Sequence, residues 1–492
     1  MINLDRTLTI EEAIKIIDGR DKIEFSEKAI NRVRKSSRLI EKAIESDRPI
    51  YGVTTGLGAN SNRNISLESA RIYQEKILMS HAVSVGEPLS EQQTRAIMLM
   101  IILNGIKGYS GVRISTLEFY KEMLNKNLYP FVPSKGSVGY LNLEAHIGLA
   151  AIGKGKFYKD GKFVDSKEVL SELNIKPLEL SYKEALFLIS GTTSVTAFAI
   201  LAINDMKILF ENYKLISAME IEVSCATTRF LDKRLMSVRK QIEQKNIAQD
   251  ILDILEGSEI CKYYYDKSLQ NALSIRCIPQ LMGPVLKKIN EAEETVLREM
   301  NSCTDNPILY QDLDEFEVIS GCNADSSYIG LEMDCCCIAM TMLAKMSERR
   351  TFRLLDSSLS NKPAFLVEGN GEDSGLMIVQ YTQAGILNEM RINSTPGIID
   401  NIPTSANQED YVAMGFNSSK KILKQIENLR YIMAIELLVI YQANRFNDPN
   451  LKRSEITNKI YQKLKFIPEL KEDYKFHPYI ERLNEMLKEK LI

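Results

Sequence analysis

Histidine is scarce in this chain: His81, His146 and His477 are the only three in 492 residues. A metal site built on imidazoles is therefore not expected. The eight cysteines form no CxxC pair, and three of them are consecutive, Cys335, Cys336 and Cys337. That run reads as a buried helix face, not as a zinc or redox site. The nucleotide-binding patterns GxGxxG and GxxxxGKS/T are absent. Excess charge is missing too. A balance of 62 basic against 65 acidic residues leaves a net charge of −3. Neither nucleic acid nor an anionic membrane is expected as a partner. The opening residues, MINLDRTLTIEEA, lack the basic-then-apolar pattern of a secretory signal. Disulfides are accordingly not expected, and a cytoplasmic location is. No tandem repeat, low-complexity tract or proline-rich linker occurs. One uncharged run, 185–203 (ALFLISGTTSVTAFAILAI), has the length of a membrane span. It holds five Ser or Thr and lacks an aromatic belt and a basic flank. It reads as a helix buried in a large helical core.

What is present is mostly helix. The 45% apolar and 26% charged content is that of a globular chain. Residues 284–300 begin with Pro and place Val285, Ile289, Ala292, Val296 and Met300 at helical spacing. Residues 331–355 run without Gly or Pro for about seven turns, and 418–445 form another long helical candidate. Glu348, Arg349 and Arg350 read as an ion-pair row. Strand signals are few; KFYKDGKFV near Phe157–Val164 predicts a hairpin on Asp160-Gly161. The expected fold is mainly α. A smaller N-terminal region, 1–200, carries the Tyr51 loop and the GSVG turn. A bundle of long helices, 201–492, carries the Arg276 and Glu409 loops.

Polar and Gly-rich islands interrupt the helices: YGVTTGLG at 51–58, SHAVSVGEPL at 80–89, PSKGSVG at 133–139, ISGTT at 189–193, SIRCIPQ at 274–280, DNP at 305–307, SGCN at 320–323, FLVEGNGEDSG at 365–375 and PTSANQED at 403–410. Such breaks give up regular hydrogen bonding and tend to mark sharp turns or ligand contacts. In this order and spacing, from Tyr51 to about Gln442, they resemble the histidine ammonia-lyase and aromatic amino acid lyase or aminomutase family. The resemblance implies a histidine ammonia-lyase-like helical fold, a homotetramer, and active sites assembled from loops of more than one subunit. It also implies removal or migration of the amino group of an aromatic amino acid. The family's electrophile, methylidene-imidazolone, is made from an internal Ala-Ser-Gly that follows GSVG.

That tripeptide is absent. The chain reads Gly136-Ser137-Val138-Gly139-Tyr140-Leu141-Asn142-Leu143-Glu144-Ala145-His146, with the flanks aligned and three residues missing after Gly139. Neighbouring positions differ from the family as well: Ser190 replaces an Asn, Leu273 a Tyr, and Ala324 a Phe, followed by Asp325. The chain thus resembles the family's cofactor-free branch, of which ergothionase is the example, and no cofactor is expected. A neutral amine is a poor leaving group and needs the electrophile; a quaternary nitrogen departs as a neutral tertiary amine without it. The expected substrate is a small-molecule amino acid betaine of histidine type, such as ergothioneine, eliminated to trimethylamine and thiourocanate.

The resemblance assigns roles residue by residue. Tyr51 matches the family's β-proton base; a phenol titrates near about 10 and needs nearby cations or donors to act so. Arg276 matches the residue that grips the substrate carboxylate, a task suited to a guanidinium fork. Gln270, Asn323 and Ser190 match polar pocket positions. Glu409 matches an active-site glutamate, although Ser405 and Gln408 also have capping-box spacing at an expected helix start. Tyr140 fills the vacated site or faces the quaternary ammonium through its ring, and Asp325 is placed to contact that cation. His81 and His146 match scaffold positions. Two alternatives stay open. One is an ordinary imidazolone-dependent ammonia-lyase or aminomutase whose tripeptide is condensed into one modified residue. The other is a catalytically inactive small-molecule binder.

Overall fold

The computed structural model describes residues 1–5, 7–45, 49–312, 315–369 and 371–492. Helix dominates, as the patterning predicts, and the described strands form four two-stranded sheets. The longest helices are Thr193–Val223, Ile278–Met300, Ser327–Leu355 and Gly415–Ala443. In Ile278–Met300 the spaced residues Val285, Ile289, Ala292, Val296 and Met300 are each no more than 2% exposed, so the 3.6-residue period marks the core face. The helix does not start at Pro284, however; it begins at Ile278 and runs through the proline. A proline inside a helix removes one N–H, a loss the flanking turns outweigh here.

The uncharged run falls in the helices Glu184–Ile189 and Thr193–Val223, and its most apolar window is wholly buried. It forms core, as its Ser and Thr content predicts. Cys336 and Cys337 are buried on the helix Ser327–Leu355 and Cys335 is half-buried. The predicted hairpin is present: strands Lys156–Lys159 and Lys162–Asp165 pair antiparallel around Asp160 and Gly161, both at positive φ.

By contact density the chain divides into two units. The first is Met1–Asn204, Ala292–Met333 and Pro396–Lys420; the second is Asp205–Glu291, Asp334–Thr395 and Lys421–Ile492. The first crossing falls between Asn204 and Asp205. Glu409, expected in the second region, belongs instead to the first. Four of the five crossings occur inside helices, where no linker composition announces them; the fifth, at Thr395–Pro396, follows the end of Met377–Asn393.

Within the second unit, Arg350 is fully buried and does not join a surface row with Glu348 and Arg349. Its Nε donates to Glu436 Oε1 at 2.6 Å and its Nη2 to Oε2 at 3.1 Å, while Nη1 reaches Ser217. Ser347 donates to the same carboxylate at 2.5 Å. The guanidinium also lies 4.8 Å from the Tyr213 ring centre. Arg349 alone pairs with Glu348.

Candidate functional site

The first unit contains a cavity of about 660 Å³. It is lined from the loop after Ile50, the helix Leu67–His81, the turn from Gly136 to Asn142, Leu186 on the helix Glu184–Ile189, and the loop that carries Glu409. Tyr51 lines it, and its hydroxyl oxygen accepts the Gly58 backbone N–H at 2.9 Å. Gly58 is required there. Its φ is +54°, and a Cβ would lie 2.2 Å from Ser405 Oγ. The Tyr51 and Glu409 loops meet at this contact.

The Glu409 loop is unusual backbone. Ser405, Ala406 and Asn407 all have φ between +51° and +64°, a region disfavoured for residues with a Cβ. An antiparallel bridge between Thr404 and Glu409 closes the loop. The Thr404 hydroxyl donates to Glu409 Oε2 at 2.7 Å, and the Tyr140 hydroxyl reaches the same oxygen at 3.4 Å. The capping-box expectation fails: Ser405 makes no side-chain cap, and the next helix begins only at Gly415. Three left-handed residues in a row cannot start a right-handed helix.

Tyr140 sits where the sequence departs from the family. Leu141 adopts φ +76°, ψ −62°, and the Asn142 N–H donates to the Tyr140 carbonyl at 3.1 Å. This is the rare, strained form of γ-turn. The Leu141 N–H is held by the Ile189 carbonyl at 2.9 Å, and Ser137 Oγ accepts from Gly139 N–H at 3.1 Å. Methylidene-imidazolone requires an Ala-Ser-Gly at this place. The chain crosses it with Gly139-Tyr140-Leu141, which has neither the serine nor the glycine in register, and the turn's amides are already engaged. The residues present do not fit that group. Burial, and then the Glu409 carboxylate beside it, holds the Tyr140 phenol well above its usual range, so Tyr140 is a hydrogen-bond donor here.

His81 ends the helix Leu67–His81 and lines the cavity. Its Nδ1 lies 2.8 Å from the Ile77 carbonyl. A carbonyl only accepts, so Nδ1 carries the proton and Nε2 of the neutral ring is the acceptor. His146 differs: burial pushes it down to about 4, and its Nε2 has no partner. It is a neutral structural ring.

Six predicted residues do not line this cavity, four of them in the first unit. Ser190 is buried at the end of Glu184–Ile189, beside Gly191. Gly191 has φ +100°, and a Cβ there would come within 2.7 Å of Thr304 Oγ1. That turn is tied to the DNP island, since Thr304 Oγ1 accepts from Thr192 N–H at 3.2 Å. Asp325 accepts from Ser327 N–H at 2.9 Å at the start of Ser327–Leu355, a helix-capping contact. It still adds negative potential at Tyr140 and Cys322. Asn323 is exposed on the same loop. The Tyr140 hydroxyl reaches the cavity-lining Glu409, and its carbonyl accepts from Asn142, which also lines the cavity.

Arg276 and Gln270 lie in the second unit. Arg276 ends the short helix Leu273–Arg276. In the amide orientation that satisfies both ends, Gln270 Oε1 accepts from Arg276 Nη2 at 2.8 Å and Nη1 at 3.3 Å. The same loop exposes Leu269 completely and Leu273 by 61%.

Sequence reasoning assigned no role to the cavity residues Tyr73, Lys76 and Ser80. Their i, i+3, i+7 spacing on the helix that ends in His81 was the available signal. It also missed Glu144, fully buried and accepting from Thr193 Oγ1 at 2.8 Å and Ser194 N–H at 3.1 Å. Burial holds its carboxyl above the usual range, and a lone acid within an apolar run was the clue.

The sequence pattern of the aromatic amino acid lyases matches residues 8–465. A histidine ammonia-lyase of Caldanaerobacter subterraneus subsp. tengcongensis is 37% identical over 458 residues, 92% of this chain and 90% of that protein. Among solved structures, the phenylalanine aminomutase of Pantoea agglomerans superposes with a TM-score of 0.95 at 28% identity, covering 100% of this chain and 99% of that one. The ergothioneine-degrading ergothionase of Treponema denticola superposes with a TM-score of 0.91 at 25% identity, covering 99% and 98%.

Proposed function

The chain belongs to the aromatic amino acid lyase family, and from that premise we propose that it is a carbon–nitrogen lyase working without methylidene-imidazolone on a trimethylated amino acid of histidine type. One observation carries this reading: the position of the family's tripeptide is crossed by the γ-turn at Tyr140-Leu141-Asn142, which offers nothing to build the electrophile. Without an electron sink attached to the nitrogen, the leaving group must arrive cationic. The likeness to ergothionase supports ergothioneine as the substrate.

In this reading Tyr51 removes the β-proton. The hydrogen bond from Gly58 supports negative charge on its oxygen. The C–H electron pair forms the Cα–Cβ double bond, the Cα–N bond breaks, and trimethylamine leaves with its electron pair. Glu409 is not ion-paired among the described residues; it accepts from two hydroxyls and faces the cavity. It supplies negative charge to the ammonium or accepts from an azole N–H. Asp325 adds negative potential at Tyr140, whose hydroxyl meets Glu409. His81 offers Nε2 as an acceptor. Arg276, aligned by Gln270, binds the substrate carboxylate. The exposed Leu269 and Leu273 beside it support burial of that loop against another subunit of a homotetramer. Exposed Ile378, Tyr381 and Ile392 on the helix Met377–Asn393 point the same way.

The second reading is an imidazolone-dependent histidine ammonia-lyase. It is favoured by the 37% identity to such an enzyme, above the 25% to ergothionase. Incubation with ergothioneine and, separately, with histidine decides between the two. Trimethylamine from ergothioneine is the expected result. Ammonia from histidine transfers the case to the second reading. No product from either overturns both in favour of an inactive binder.

A further inference from the structure

The second unit contains a cavity of about 430 Å³ that shares no residue with the Tyr51 cavity. Its innermost cation is Lys362, only 7% exposed. The Lys362 ammonium donates to the amide oxygen of Asn447, a neutral partner. The acids within its electrostatic reach are Cys225 and Glu220. Burial raises both: the thiol lies above its usual range, and Glu220 is pushed up to about 8. The hydrogen-bond partner of Lys362 is thus neutral, and burial pulls its amine below the usual lysine range. A buried ammonium in that state is costly unless an anion joins it.

Two further cations line the same cavity, Arg353 from the last turn of Ser327–Leu355 and Lys267 from the loop that also carries Gln270. The one carboxylate there, Asp448, is engaged by the backbone and side-chain amides of Asn450 at 2.9 and 3.0 Å. Three cations against one acid leave a surplus that matches a dianion. Ser360 and Asn361 add neutral donors to the wall.

We propose that this cavity is a binding site for a small phosphorylated anion, with Lys362, Arg353 and Lys267 contacting the phosphoryl oxygens. Multiply charged oxygens take several charge-assisted hydrogen bonds at once, which a carboxylate of one charge does less well. The volume exceeds that of free phosphate, so a phosphate monoester fills it better. The shared chemistry is the phosphoryl group.

Isothermal titration of the intact oligomer at constant ionic strength tests the site, with inorganic phosphate and glycerol 3-phosphate as probes and chloride and glycerol as controls. Saturable binding of either phosphoryl probe is expected. Lys362→Met should lower its affinity by roughly ten-fold or more, and Lys267→Gln and Arg353→Gln each by roughly ten-fold. A tighter monoester identifies an ester as the occupant, and a tighter phosphate identifies the free ion; both support the site. If Lys362→Met does not fold, the two rim variants decide. No saturable binding, equal binding of chloride, or affinity unchanged in the rim variants overturns the proposal.

Discussion

Two glutamates, one in each unit, sit inside the protein under opposite conditions. Glu436 in the second unit is fully buried and meets a bidentate guanidinium and a serine hydroxyl. Glu409 in the first is half-buried, meets only hydroxyls, and is carried by three left-handed residues beside a cavity. Glu436 is paired in full by its own chain, whereas Glu409 has no ion-pair partner among the described residues. Structure consumes the first carboxylate; the second faces a cavity. The difference teaches where to look for function in a helical protein: at acids whose counter-charge is missing, on backbone that regular structure would not choose.

That contrast predicts separable effects. The largest is chemical: Tyr51→Phe should cut kcat on the betaine by about 10²–10⁴-fold while the melting temperature stays put. A variant that retained activity would remove Tyr51 from the reaction. Next comes Arg350→Met, which strands the Glu436 carboxylate and should cost about 3–5 kcal/mol of stability in denaturant unfolding. The comparison breaks if that variant is as stable as the parent. Glu409→Gln should do the reverse, lowering kcat/KM by roughly 10–100-fold with stability changed by less than about 0.5 kcal/mol. A large loss of stability there would make Glu409 a structural acid like Glu436. Gly58→Ala, with its φ of +54° and its contact with Ser405, should destabilise by roughly 1–2 kcal/mol and also raise KM. An alanine variant with an unchanged KM would separate the loop contact from the site.

Glu220, in the same buried cluster as Arg350 and Glu436, gives the smallest and most specific effect. Its carboxyl is raised to about 8, by burial first and then by Glu436. The folded state therefore holds a proton that the unfolded chain has released. Stability from this group is complete below the unfolded value, near about 4.3, and is lost as pH rises through about 8. Stability measured against pH should fall across that window in the parent and less in Glu220→Gln. Parallel curves would show that Glu220 is ionised in the folded state.

Much of the fold was legible because burial imposes a period. The residues from Val285 to Met300 and the Asp160-Gly161 turn could be read directly. The division into units could not, because helices cross it without a change of composition. The site was half legible. Tyr51, His81 and Glu409 were named and do line one cavity. Asp325 was read as a cation contact, and the structure gives it a capping bond that its sequence position did not suggest. Tyr73 and Lys76 escaped because polar residues on an exposed helix face look alike until the cavity beside them is seen. The loop at 405–407 escaped because left-handed φ at Ser and Ala has no sequence signature.

The central claim concerns the leaving nitrogen, and a methylation series tests it most directly. Substrates sharing one imidazole side chain and bearing none, one, two or three methyl groups on nitrogen should be compared for elimination rate. The account predicts turnover of the trimethylated member alone, with trimethylamine as product. Release of ammonia from the unmethylated amino acid would contradict it.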